Sequence, residues 1–498
     1  MSEFFQVMCF ESASAIFNRP PHQGERITMC KPIAISAAVA LIGLPTVALG
    51  QTADSSPGAL TLPDPGTPVA TDRSSDTLIG IPSLRLPRGD TLTNGGDGPV
   101  VGVSSGRRGS TVATRARPDF DAAGIPVGGF TLFPVGSLAL TYDGNVFNGR
   151  QNQVSDIAAN ARLAAVMRSN WSRHQVLLSG FINERAYATY TSESGVTYRA
   201  RALGRYDIGI DTKVTAEIGR ERIFLQRTAL TEVLSTRQPI RYDLTSGALG
   251  ISRELGRLRA SAQGYAARYD YNDAERIDGT PIAQQFRSYD LYRGSLQLGY
   301  ALDTGPVVFI QGIADARRYR FPAPPIDRDS NTTEILIGLS SDITPLLRGR
   351  IGIGYIHADF KQATIASRGA PSFDVDLDYL ATELTTVHLS GRRYFQNVSL
   401  AVSPGVLNTE ATLGVDHELL RNLILSGEIL YRQTDFIASG GKGSALGAEG
   451  KSQLYINRRL RANAGLGYFY SRRSNIIASE IPRNVGQVQA TIGLSFAM

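Results

Sequence analysis

Few residues in this chain could carry covalent chemistry, and their spacing decides what they are for. Beyond residue 50 there are four histidines, His174, His357, His388 and His417, and no pair of them has the spacing of metal ligands. The run His388-Leu389-Ser390 puts a His and a Ser on one face of a strand, the types needed for a general base and a nucleophile. That pair opens a strand read below as running outward, next to a short turn, and we read His388 as an interfacial histidine. There is no phosphate loop, and Gly440-Gly441-Lys442-Gly443 is turn chemistry in a long loop. Both cysteines, Cys9 and Cys30, precede the cleavage site inferred below, so the mature chain is expected to hold no thiol nucleophile, disulfide or Cys-bound metal. No catalytic residue, metal or cofactor is expected.

What remains is charge at regular spacing. Arg199, Arg201, Arg205 and Asp207 share one parity, while Val196, Tyr198, Ala200, Ala202, Tyr206 and Ile208 share the other. Next, Lys213, Thr215 and Glu217 oppose Val214, Ala216 and Ile218, and Arg293, Ser295 and Gln297 oppose Tyr292, Leu296, Leu298 and Tyr300. Successive strand side chains point to opposite faces, so each run has one charged and one apolar face. An Arg or Lys facing lipid at mid-depth costs about 2–4 kcal/mol, so in a membrane these charges must look inward. Arg199, Arg201, Arg205, Lys213, Glu217 and Arg293 are therefore the candidate lumen residues, and neighbouring Arg and Glu are expected to be mutual partners more than a selectivity filter.

The elements that must position them recur from Phe130 onward. Alternating runs of roughly 9 to 15 residues are separated by turn chemistry, and short connections take turns with long ones. Short ones include Ser169-Asn170-Trp171-Ser172-Arg173, Leu302-Asp303-Thr304-Gly305, Asp342-Ile343-Thr344-Pro345 and Leu420-Arg421-Asn422. Aromatics precede the long ones: Tyr142, Tyr187, Phe224, Tyr269, Tyr319, Phe360, Tyr394, Tyr431 and Tyr468, read as an outer girdle. Their spacing of about 40 residues is also that of a β-propeller, but each repeat here holds two long strands and not four short ones. The count is 18 strands, within one hairpin. Outward strands begin near residues 130, 174, 212, 256, 305, 348, 385, 422 and 462, and returning strands near 156, 196, 238, 285, 331, 372, 406, 446 and 484. The last run, Val485 to Met498, carries Val488, Ala490, Ile492, Leu494, Phe496 and Met498 on one face and Gln487, Gln489, Thr491, Gly493 and Ser495 on the other. It reads as a closing strand that pairs with Phe130 to Tyr142. Thr491, Gly493, Phe496 and Met498 form its barrel-assembly signal, in which Met498 stands where Phe is usual. The fold class expected is all-β: a transmembrane, antiparallel, up-and-down β-barrel preceded by a disordered N-terminal periplasmic segment.

Upstream, Met29-Cys30-Lys31 precedes an apolar run from Ile33 to Leu44 and a small-residue site at Ala48 and Gly50. Residues 1–50 are read as the signal region, with translation starting at Met29 and cleavage after Gly50. Residues 51–116 are rich in Pro, Gly, Ser, Thr and Asp, too polar to offset ordering entropy. They are read as a disordered periplasmic segment, with a plug inside the barrel as the alternative, and residues 117–498 as the barrel. Composition agrees: 51 Gly, 20 Tyr and 19 Phe in 498 residues suit weakly hydropathic membrane strands. The net charge of +6 is scattered among acids and makes no nucleic-acid stripe.

Four strings in order, Arg117-Pro118-Asp119-Phe120, Tyr142-Asp143-Gly144-Asn145-Val146-Phe147, Ser169-Asn170-Trp171-Ser172-Arg173-His174 and Val415-Asp416-His417-Glu418-Leu419-Leu420-Arg421-Asn422-Leu423, resemble the putative β-barrel porin 2 family of Gram-negative outer membranes. The resemblance covers Arg117 to Met498. It implies an outer-membrane barrel without catalytic residues to transfer, some of whose relatives are thought to act in exopolysaccharide production or export. The expectation is a porin-like passive channel in the cell outer membrane, with N-terminal segment and C-terminus periplasmic. The alternative is an accessory barrel for exopolysaccharide. Expected partners are outer-membrane lipids, the barrel-assembly machinery, and small polar solutes or polysaccharide, with no nucleic acid. The oligomeric state is not fixed by the sequence.

Overall fold

The computed structural model describes residues 111–498, apart from 114, 116, 151, 226, 228–235, 277, 304, 322–326, 397–403, 438–439 and 475–483. The export-signal reading and the stretch 51–110 lie outside the described residues. Eighteen long strands follow one another: β1 Phe130–Asp143, β2 Asp156–Ser169, β3 Gln175–Tyr187, β4 Gly195–Ile208, β5 Thr212–Phe224 and β6 Arg241–Leu255. Then come β7 Leu258–Tyr271, β8 Tyr289–Ala301, β9 Val307–Tyr319, β10 Ser330–Asp342, β11 Leu347–Phe360 and β12 Arg368–Thr382. The last six are β13 Thr385–Gln396, β14 Val406–Leu420, β15 Leu423–Phe436, β16 Lys442–Tyr455, β17 Leu460–Ser474 and β18 Val485–Ala497. Each pairs antiparallel with the next, and β18 pairs with β1 from Val135↔Ala497 to Asp143↔Gln489, so the sheet closes. All eighteen expected strands are present. Short and long connections alternate, giving the barrel a short-turn end and a long-loop end. The two-residue turn 256–257 needs positive φ, and Gly256 supplies it at +60°.

Some boundaries differ from the expectation. β12 begins at Arg368, not near 372, because Gly369, Ala370 and Pro371 pair with His357, Ile356 and Tyr355 although their types read as loop. β16 likewise begins at Lys442, and β8 only at Tyr289. The girdle is also corrected. Tyr142, Tyr431 and Tyr468 point outward and are exposed, but Tyr187, Tyr269 and Tyr394 are buried on the inward face. Tyr319 and Phe360 pack inside as well. A place before a loop sets the height of a side chain, whereas parity along the strand sets its side.

The outward face carries an apolar band. In β18, Val488, Ile492, Leu494 and Phe496 are exposed, while Gln487, Gln489, Thr491 and Ser495 are buried in the barrel. The closing seam runs through these polar groups. The Asp143 carboxylate accepts hydrogen bonds from Gln487 Nε2 at 2.6 Å, Gln489 Nε2 at 3.0 Å and the Tyr187 hydroxyl at 3.1 Å. The Thr141 and Thr491 hydroxyls meet at 3.0 Å across the seam. At Gly493 a Cβ would lie 2.7 Å from Ala139 Cβ and 2.8 Å from the Leu138 carbonyl oxygen, so no side chain fits there. The Ile125–Val127 segment folds back on Phe130 to Leu132 and extends β1 at the short-turn end.

Two outcomes follow. Ile492→Arg places a guanidinium against hydrocarbon and is expected to cost about 2–4 kcal/mol in urea titrations of the barrel refolded in bilayers. An unchanged midpoint would show that the outward face is misassigned. Asp143→Ala takes this acceptor from four buried donors, the Asn145 N–H among them, and should lower stability by roughly 3 kcal/mol. Hydrogen exchange should rise first in β1 and β18, and uniform exchange would show that the seam does not depend on this carboxylate.

Candidate functional site

The candidate site is the inward face, where parity and closure bring together charges distant in sequence. Arg199 pairs with Glu221 on the neighbouring strand at 2.5 Å, and both are almost fully buried. Arg201 lies 3.5 Å from Glu217, and Arg205 3.1 Å from Asp207 on its own strand. Arg293 grips Asp315 with two hydrogen bonds of 2.6 and 2.7 Å, a bidentate geometry. Lys213 lies directly opposite Asp207 in the β4–β5 register. The six expected lumen residues thus share the inward face of β4, β5 and β8. Four of them, the three arginines of β4 and Arg293, meet a carboxylate within 3.5 Å.

The inward faces of the later strands hold groups that parity alone did not single out. Arg350 bonds Asp374 at 2.9 Å and Gln297 at 2.9 Å, reaches Gln311, and stacks on Phe309 at 4.0 Å. Arg432 meets Glu410 at 2.9 Å, and the Tyr394 hydroxyl donates to the same carboxylate at 3.3 Å. His388, read from its place beside a short turn as interfacial, has its side chain on the inward face. Its Nδ1 lies 2.6 Å from Asp378 and its Nε2 2.9 Å from Asp416. Ser426 donates to the other Asp416 oxygen at 2.5 Å. Asp378 and Asp416 come from the strands on either side of β13, so only the register reveals them as partners. The imidazole separates two aspartates, with no nucleophile between them. Ser390 follows on the same inward parity. Among the described residues no group of three or more His, Cys, Asp or Glu is arranged to hold a metal ion.

Both mouths carry packed protein. At the short-turn end, the chain entering the barrel lies against the inner wall. Val112 is about 1% exposed, its N–H donates to the Thr386 hydroxyl at 3.0 Å, and it packs with Phe120, Ile424 and Tyr455. Arg115 and Arg117 meet Glu418 at 3.3 and 2.9 Å. At the long-loop end, Tyr242, Tyr269, Tyr271, Tyr289 and Leu291 form an inward cluster with Leu225 and Ile240 of the β5–β6 connection. Tyr269 and Tyr289 stack at 4.4 Å between ring centroids. Arg287 covers Tyr271 at 4.3 Å and Arg328 covers Tyr319 at 4.6 Å, both from long loops. Burial lowers the Arg328 guanidinium below its ordinary range. In the β3–β4 loop, burial raises the Glu193 carboxyl although Arg227 pairs with it at 2.5 Å. The sequence held one signal for this packing, the arginines beside aromatics at strand ends, but not the side on which they lie.

Comparison with known proteins follows from this geometry. Among solved structures, the chain is similar to the outer membrane protein opdK of Pseudomonas aeruginosa, at 11% identity over 74% of this chain and 99% of that one, with a TM-score of 0.38. It is similar to the siderophore receptor PirA of Acinetobacter baumannii, at 8% identity over 73% and 80% of the two chains and a TM-score of 0.38. The PirA receptor of Pseudomonas aeruginosa gives 10% identity over 77% and 81%, with a TM-score of 0.35. No curated protein matches the chain. The model of the family described as "Putative beta-barrel porin 2" matches residues 117–493, from the segment in the short-turn mouth into the closing strand. With its closed eighteen-strand barrel, apolar outside and charged inside, the chain belongs to this porin-like family of outer-membrane β-barrels.

Proposed function

We propose that the barrel is a passive, weakly selective channel for small polar solutes, with its long loops at the cell surface and its termini in the periplasm. The observation that carries this reading is the charged inward face of an eighteen-strand ring. Barrels of 16–18 strands are wide enough to leave an aqueous path. Charge on the inner wall keeps that path wet, and pairing of opposite signs, as in Arg293–Asp315 and Arg432–Glu410, leaves little net field to reject either ion. The packed mouths would narrow the path without changing its wall. A role in exopolysaccharide production or export rests on the family resemblance alone. Sugar stacking would need aromatic faces open to the lumen, and the inward Tyr242, Tyr269 and Tyr289 are buried.

Purified barrel in planar bilayers is expected to give stable conductance steps with little preference between cations and anions, and a silent barrel would overturn the proposal. Arg293→Gln leaves Asp315 without its guanidinium, so the reversal potential in a salt gradient should shift toward cations. No shift would place the pair outside the ion path. Arg115→Glu combined with Arg117→Glu sets three acids together at Glu418 and should release the segment from the short-turn mouth. Single-channel conductance is then expected to rise, and an unchanged step size would show that the segment lies outside the current path.

A further inference from the structure

The outer wall of β5 to β10 differs from the rest of the apolar band. Elsewhere it carries large exposed side chains such as Ile353, Leu138, Ile492 and Leu494. On these strands the outward positions at one height are small: Ala216, Gly247, Gly264, Ala266, Gly294 and Ala314. They adjoin one another across the ladder, Gly247 opposite Ala266 and Gly264 opposite Gly294, which in turn faces Ala314. The result is a lipid-facing depression of about 940 Å³, rimmed by the exposed Ile218, Leu249 and Tyr292. A Cβ at Gly264 or Gly294 would meet nothing within 4 Å, so the space is open to the outside.

The next outward row toward the long-loop end, about 7 Å higher by strand rise, is polar. It runs Arg220, Thr245, Arg268, Asp290 and Arg318 on five consecutive strands, each opposite the next in register. Arg268 forks onto Asp290 at 2.8 and 3.2 Å, Arg220 bonds the Thr245 hydroxyl at 3.1 Å, and Arg318 bonds Asn331 at 2.7 Å. Just above, Arg222 pairs with Asp243 at 2.9 Å and Arg320 with Asp270. Five arginines thus stand against three aspartates, and Arg220, Arg268 and Arg318 are exposed. An arginine row above an apolar hollow fits a molecule with phosphates at one end and several hydrocarbon chains at the other. Guanidinium matches phosphate geometry in fork-like pairs, and the hollow receives chains where the wall elsewhere is filled by Leu and Ile.

We propose that this face binds a bisphosphorylated, multiply acylated glycolipid, the class that fills the outer leaflet of a Gram-negative outer membrane. Its phosphates lie on Arg220, Arg268 and Arg318, and its chains lie in the depression. A second copy of the chain would bring the same arginine excess against itself, which the lipid phosphates neutralise. Assigning the outer leaflet rests on the orientation proposed above. Binding in micelles does not, so the two can fail separately: cysteine labelling of a long loop in intact cells reads orientation alone.

The test is native mass spectrometry of the full chain released from detergent micelles. The micelles are loaded with lipid A carrying both phosphates or with its phosphate-free form of identical chains. The unaltered protein should retain the phosphorylated lipid preferentially. Arg220→Gln with Arg318→Gln changes only exposed side chains and should lower that retention on the order of thirtyfold, at roughly 1 kcal/mol per arginine near a phosphate surface. Gly264→Leu with Gly294→Leu fills the hollow and should lower retention of both lipids while the heat-modifiable gel shift of the folded barrel persists. Equal retention of the two lipids, or retention unaffected by both variants, overturns the proposal. Displacement of the lipid by equimolar inorganic pyrophosphate would assign the arginines to a free anion, and a dimer dissolved by the leucine variant would assign the face to a second copy.

Discussion

Every backbone N–H and C=O in a bilayer core must find its partner within the protein, because hydrocarbon offers none. The whole architecture depends on that constraint. Eighteen strands pair in chain order, and the first and last each find their second long neighbour in the other. The β1–β18 seam is the join between chain regions farthest apart in sequence. Side chains reinforce its ladder: Asp143 gathers Gln487, Gln489 and Tyr187, Asn145 donates to the Gly486 carbonyl at 3.0 Å, and Gly493 lets the two backbones approach. The polar face of the last strand is therefore a seam network as much as a wetted surface.

The same strands carry charge, and register is what makes that charge tolerable. Sliding a strand by one residue would turn Arg199 and Arg201 into lipid, at about 2–4 kcal/mol each. Sliding by two keeps the faces but breaks the ion pairs. Arg199 lies directly opposite Glu221, Arg293 opposite Asp315, and Glu410 opposite Arg432. Removing one member of such a buried pair costs about 3–5 kcal/mol, far more than the net worth of forming it. Hydrophobic alternation thus excludes odd slips and cross-strand ion pairs exclude even ones. The pairs thus serve specificity of register in the wall.

How much of this was legible in the sequence depends on the range of the interaction. Face assignment is local, so period-two alternation placed Arg199, Arg205, Glu217 and Arg293 inside and Ile492 and Phe496 outside without knowledge of any partner. Strand starts were legible where turn residues coincide with turns, as at Asp342 to Pro345. They were misread where Gly369 and Pro371 stay in a ladder. The girdle failed because parity was not applied to it: Tyr269 and Tyr394 lie two residues in phase with inward groups, Ala267 and Arg392. His388 could not be placed by itself. Its meaning comes from Asp378 and Asp416, ten and 28 residues away, which become neighbours only when β12 to β14 are aligned. The contact of Val112 and Arg117 with β13 to β16 is longer in range still, and a polar N-terminal composition carries no trace of it.

The wall and the mouths therefore answer to different physics. The wall is over-determined: backbone ladder, alternation and ion pairs agree at each position, as in β4 to β5 and β8 to β9. The mouths rest on fewer and weaker constraints. At the long-loop end a tyrosine cluster is covered by arginines from loops, through ring stacking and cation–π contacts of about 1 kcal/mol each. At the short-turn end the entering segment is held by Arg115 and Arg117 on one carboxylate, Glu418. Rearranging either mouth leaves every strand pairing intact, whereas rearranging the wall would breach the ladder. Rearrangement is thus confined by energetics to the two ends, and the charged wall between them stays fixed.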